Sequence, residues 1–248
     1  MLNFIMSDIG GAATCFVCDI VSRLWHPVCE EQKCQEDIFP LAVNYMDRFL
    51  SVNPINKNHL QLLGTTCLLV SSKLRESDCL SVDLLVLYTD NTITSEELLM
   101  WELLLLSILK WDVSAITAHD FLWYILKRLN MDTAKPFVDI VIKHCGTFIG
   151  MCARDYQFCS YKPSVIAGAS IAAALNGLEY AAIYKYDLFN KLHAITGSKK
   201  EVLKACQEQI EAMVEAHKRQ RKEIDYQNMY EKPYDKTAES DDNTNCWI

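Results

Sequence analysis

The six histidines of this 248-residue chain, at positions 26, 59, 119, 144, 193 and 217, never take the His-Glu-x-x-His spacing that holds a catalytic zinc on one helix face. Neither Gly-x-Ser-x-Gly, which exposes a nucleophilic serine on a sharp turn, nor a glycine-rich phosphate loop occurs. Glu30-Glu31 and Glu96-Glu97 are adjacent in sequence, so on a helix they turn to different sides, as solvated first-turn acids do. Cys15-x-x-Cys18, followed by Cys29 and Cys34, has the outline of two zinc half-sites. The second pair is too widely spaced, and the intervening EEQK reads as helix. Cys67, Cys145, Cys152 and Cys206 sit inside apolar helical runs, as reduced core thiols of an intracellular protein do. The expectation is a protein with no catalytic residues, no metal and no cofactor.

Two charges sit where charge is costly. Lys73 extends the stripe Leu62, Thr66, Leu69 on a helix whose other faces are also apolar, and Glu102 lies between Leu98 and Leu105 in LLMWELLLLSIL. A charge on an otherwise buried helix must be paired or reach a surface. Either each snorkels to water at a helix edge, or both form a polar spot on an apolar surface that a partner covers.

The composition limits what can position these groups. With Lys+Arg 24 against Asp+Glu 32, the net charge is -8, which disfavours a dedicated nucleic-acid binder. Only 8 Gly and 6 Pro stand beside 50% apolar residues, too few turn residues for a sandwich or barrel and enough apolar surface for a large helical core. No uncharged apolar run reaches the ~18 residues of a membrane span, and the N-terminus lacks the basic region of a signal peptide.

Helical periodicity predicts helices over 28–33, 36–50, 56–75, 81–88, 94–110, 118–130, 134–153, 163–176, 181–194 and 199–219. Capping boxes mark three starts: Thr94 with Glu97, Thr117 with Asp120 and Ser198 with Glu201. Asn53-Pro54 and Lys162-Pro163 mark boundaries. LLGTTC around Gly64 and VIAGAS around Gly168 both mix small residues with aliphatics, so two halves are expected, each built on a central buried helix. The chain divides into an atypical segment 1–27, helical domains 28–113 and 114–219, and an acidic tail 220–248 expected to be disordered.

VCEEQKC, FPLAVNYMDRFLS, LQLLGTTCLLVSSKLRE, LYTDNTITSEELLMWELLLLSILKWDV and ACQEQIEAM together resemble the D-type cyclins, the G1/S-specific cyclin family. The resemblance covers about Val28 to Arg219 and is densest in the first half. It implies an all-α fold of two tandem five-helix cyclin boxes. It also implies a non-enzymatic regulatory subunit that binds and activates a cyclin-dependent Ser/Thr kinase by pinning the kinase's C helix inward. G1/S progression through phosphorylation of retinoblastoma-type substrates would follow. The implied partners are that kinase, a retinoblastoma-family substrate and kinase-inhibitor proteins, with no nucleic acid or membrane, in nucleus and cytoplasm.

Carried over by motif, Lys73 and Glu102 match the family's pair that hydrogen-bonds kinase main chain, and Val70, Leu74, Leu106 and Trp111 supply the apolar part of the contact. Substrate docking is carried by a Met-Arg…Trp motif on the family's first helix. Here Val17, Cys18 and Leu24 hold those places, with Trp25 one position off, while Leu60 and Gln61 match the groove's other wall. Trp25, Leu60 and Gln61 are therefore the docking candidates. Lys218-Arg219-Gln220-Arg221-Lys222 reads as an import signal or as the basic end of a helix. Two rivals stay open: a cyclin-box scaffold that binds without activating, and a paired cyclin-fold transcription factor, which would need a basic face.

Overall fold

The computed structural model describes Trp25 and residues 27–131, 136–178 and 187–230. Every regular element among them is helical. They are α1 (27–31), α2 (Ile38–Val52), α3 (Leu60–Arg75), α4 (Val82–Tyr88), α5 (Ser95–Ile108), α6 (Ala118–Arg128), α7 (Pro136–Arg154), α8 (Pro163–Gly177), α9 (Leu188–Thr196) and α10 (Lys200–Tyr230). The all-helical expectation holds.

In α2 the buried residues Ile38, Leu41, Ala42, Tyr45, Met46 and Phe49 recur at three and four positions, giving one apolar face. The helix stops at Val52 because Pro54 drives the preceding residue out of helical conformation, and Asn53 is extended (φ -136, ψ 90). A 3-10 turn, Lys57–His59, then leads into α3, so the helix expected from 56 begins at Leu60. Helix α3 is buried on all sides from Leu62 to Ser72. Its hydroxyls are satisfied internally: Thr65, Thr66, Ser71 and Ser72 donate to the carbonyls of Gln61, Leu62, Leu68 and Leu69.

Helix α3 packs against α2 and α5, and α8 occupies the corresponding place against α6 and α7. Both centres use glycine for close approach. The Trp25 ring lies directly on Gly64, where a Cβ would overlap it. A Cβ on Gly168 would meet Leu203 Cδ2 at 3.3 Å.

Two of the three expected capping boxes form, at Thr94 with Glu97 and at Thr117 with Asp120. The third does not: α10 opens at Lys200, and the Ser198 amide donates instead to Thr196 Oγ1. A second 3-10 turn, Tyr156–Ser160, was not legible from periodicity. The helix expected over 181–194 is Leu188–Thr196, closed by Gly197 in the left-handed region (φ 68), with 181–186 outside the described residues.

Helix α10 continues past Arg219 to Tyr230, into the stretch expected to be tail. Nothing between the two breaks a helix, and Glu215 and Lys218 pair at 2.9 Å one turn apart. The remainder of that tail, 231–248, lies outside the described residues. Contacts divide the chain into two compact units, Met1–Glu211, which holds both helical halves, and Ala212–Ile248. Helix α7 is long and apolar enough on average to span a membrane (mean hydropathy 1.2), but its Val138, Val141, Cys145, Ile149 and Cys152 are buried in protein.

Candidate functional site

Lys73 stands in the last turn of α3 and Glu102 in the middle of α5, and the packing of these helices brings them together. Lys73 Nζ donates to both carboxylate oxygens, Oε1 at 2.7 Å and Oε2 at 2.8 Å. Glu102 is 16% exposed and Lys73 40%, so the pair sits at the rim of the core with its basic end open to water. Lys73 thus reaches water at the helix edge while the two charges meet in one polar spot.

The surroundings are apolar and uncovered. Leu74 is 42% exposed and Trp111 69%. Leu106 is half-buried against the core. Val70 belongs to the core, with 5% of its surface open, so it supports the face from beneath. Sequence reasoning missed four exposed apolar residues of α5: Leu99, Met100, Leu103 and Leu104. Their signal was present, since α5 is apolar on nearly every side yet packs through only one. Its inner face is Leu98 and Leu105, and Trp101 stacks on Phe49 at 6.3 Å.

Trp111 is presented by an unusual turn. Lys110 (φ 55) and Trp111 (φ 61) are both left-handed, and the Trp111 amide donates back to Leu106 O at 2.9 Å. Such a backbone costs a bulky residue about 1 kcal/mol or more and is kept where the surroundings fix it. Two anchors from α2 do so: Tyr45 Oη donates to Val113 O at 2.6 Å, and Arg48 pairs with Asp112 at 3.0 Å.

Trp25 is 2% exposed and Leu60 7%, with Gln61 half-buried, which leaves a peptide little side-chain surface there. Val17, Cys18 and Leu24 lie outside the described residues, as does Cys15.

Cys29 and Cys34 are brought side by side by the cap of α1, where the Cys34 amide donates to Cys29 O at 2.9 Å and Lys33 is left-handed (φ 54). Burial, and then Cys34 itself, pushes the Cys29 thiol up. Among the described residues no group of three His, Cys, Asp or Glu could hold a metal ion. His119 is half-buried with both ring nitrogens shielded and unpartnered, and burial pushes it down to about 4, so it stands neutral.

The chain matches two family descriptions: Cyclin, N-terminal domain, over residues 19–114, and Cyclin, C-terminal domain, over 116–242. It is 50% identical over 185 residues to the G1/S-specific cyclin-D3 of Mus musculus, an alignment covering 75% of this chain and 63% of the mouse protein. It is 45% identical over 205 residues to the G1/S-specific cyclin-D1 of Pongo abelii, covering 81% of this chain and 69% of that one. The chain thus spans a little under two thirds of the mouse relative's length. Among solved structures it is similar to a viral cyclin from herpesvirus saimiri, with a TM-score of 0.72 at 22% identity, covering 80% of this chain and 84% of the viral one; this is a likeness of fold. By both domain matches and by identity across most of its length, the chain belongs to the D-type, G1/S-specific cyclins.

Proposed function

We propose that this chain is a non-catalytic regulatory subunit that binds and activates a cyclin-dependent Ser/Thr kinase at the G1/S transition. The observation that carries the reading is the Lys73–Glu102 pair set in an uncovered apolar face of Leu74, Leu103, Leu106 and Trp111. Apolar area supplies affinity in such a contact, while a fixed pair of opposite charges offers a donor and an acceptor to a partner's main chain, setting its register. Holding the kinase's C helix inward completes the Lys–Glu pair that phosphoryl transfer requires. Retinoblastoma-family substrates and kinase-inhibitor proteins belong to the same reading, as does residence in nucleus and cytoplasm. The exposed Lys218, Arg219, Arg221 and Lys222 of α10 offer an import receptor its basic stretch.

The test is kinase activation. Purified chain is titrated into a cyclin-dependent kinase, and phosphorylation of a retinoblastoma fragment is followed. Lys73→Ala combined with Glu102→Ala should cut activation by roughly 30-fold or more, the loss of one strong anchor, with helical circular dichroism unchanged. Full activation by the double variant would overturn the reading.

A further inference from the structure

Helix α1 ends in a complete left-handed cap. The Cys34 amide donates to Cys29 O at 2.9 Å and the Lys33 amide to Glu30 O at 3.2 Å, with Lys33 left-handed (φ 54). In this motif the side chains at the two ends of the longer-range bond touch, and here both are thiols. The direct backbone bond keeps their α-carbons no more than ~7 Å apart, the span a disulfide tolerates. Each thiol acts on the other at hydrogen-bond range. Both are half-buried, resting on the core of the first half with part of their surface open to small solutes. Cys67, Cys145, Cys152 and Cys206 are buried, whereas Cys79 and Cys159 are exposed.

We propose that Cys29 and Cys34 are a modification site, a reversible intramolecular disulfide made by hydrogen peroxide and undone by a dithiol reductant. Peroxide first oxidises Sγ of Cys34, the residue in the turn beyond the helix, to a sulfenic acid and releases one water. Cys29 Sγ then attacks that sulfur. The S–S bond forms as the S–O bond breaks, and the departing hydroxide takes the Cys29 proton as a second water. Two thiols thus lose two electrons and two protons, and peroxide becomes two waters. The cap speeds the closing step, because the attacking sulfur is already in place. Burial, and after it the Glu76 carboxylate, raises the Cys34 thiol, so the first step is slow and the pair answers sustained oxidant rather than a brief pulse. The bond locks a short helix that has little stability of its own. The Gln35 amide, next in the chain, donates to Glu76 at 2.8 Å where α3 ends, so the locked turn is tied to the central helix of the first half.

The site shares no residue with the kinase reading, so either can fail without the other. The full chain is held in hydrogen peroxide, its remaining thiols are blocked with iodoacetamide in denaturant, and tryptic peptides are read by mass spectrometry. Lys33 lies between the two cysteines. A bond between them therefore leaves the peptide ending at Lys33 joined to the one beginning at Cys34, with two hydrogens lost, and dithiothreitol should separate them again. Joined peptides are expected in most of the chain before the buried Cys67 or Cys145 is oxidised. The oxidised chain should also melt a few degrees higher than the reduced one, a rise absent from Cys34→Ser, with circular dichroism showing that variant folded. Cys29 and Cys34 each found alkylated or as sulfinic acids after prolonged peroxide, or linked instead to Cys79 or to a second copy, would overturn the proposal. So would an equal rise in Cys34→Ser.

Discussion

Arg75 and Asp120 meet in a two-pronged ion pair, Nη1–Oδ1 and Nη2–Oδ2 each at 3.1 Å, that ties the last turn of α3 to the first turn of α6. The same Asp120 carboxylate closes the α6 capping box, accepting from the Thr117 amide at 2.7 Å, and Arg75 also faces Asp37 at 3.4 Å. Burial alone would raise Asp120; the Thr117 amide and then the Arg75 guanidinium outweigh it and hold the carboxyl below its usual range. One arginine therefore fixes where the second helical half begins.

Breaking that clamp should cost more than a surface pair does. Arg75 and Asp120 side chains are 24% and 31% exposed, between the surface and buried extremes. Arg75→Ala should lower unfolding free energy by about 2 kcal/mol in urea titrations. A cycle with Asp120→Asn should give a coupling of ~1–2 kcal/mol. Coupling near zero would show that the two residues are merely neighbours.

Exchanging the charges separates internal pairing from partner binding. Lys73→Glu with Glu102→Lys keeps opposite charges on α3 and α5, so stability of the free chain should move by less than ~1 kcal/mol. Affinity for the kinase should still fall about tenfold or more by calorimetry, because donor and acceptor have traded places. Equal affinity would mean that the partner reads only the apolar surface.

Gly64→Ala tests the contact at the centre of the first half. The added methyl has no room beside the Trp25 ring, and overpacking of this kind costs ~1–3 kcal/mol. Adding Trp25→Ala should cost less in that background than in the unaltered chain, read from thermal unfolding and indole fluorescence. Additive losses would place the indole elsewhere.

Asp47 gives stability a pH dependence of definite sign. A carboxyl raised to about 6, against ~3.9 unfolded, favours folding while protonated, so this contribution is present below pH ~4 and lost as pH rises through about 6. Asp47→Asn should match the unaltered chain at low pH and melt higher at neutral pH. A constant difference in midpoint across that range would refute the assignment.

Much of this was legible in residue types alone. Prolines and caps placed most helix ends within two residues, because each acts through local backbone sterics or one hydrogen bond. The 3-10 turn at Tyr156–Ser160 was not, since its side chains follow no apolar period. The polar spot at Lys73 and Glu102 stood out because charge on an apolar helix needs a reason. Trp25 was harder: a lone indole reads equally as groove wall or core, and only the missing Cβ of Gly64 decides for core. The Arg75–Asp120 clamp joins residues 45 apart with no pattern to announce it.

The leucines left open on α5 also govern how the free chain behaves in bulk. Leu99, Met100, Leu103 and Leu104 form an adhesive stripe, while a net charge of -8 keeps copies apart. Salt screens that repulsion beyond ~8 Å at physiological strength and leaves the attraction of the stripe intact. Colloidal stability of the unpartnered protein is thus electrostatic, and rising ionic strength drives it toward self-association.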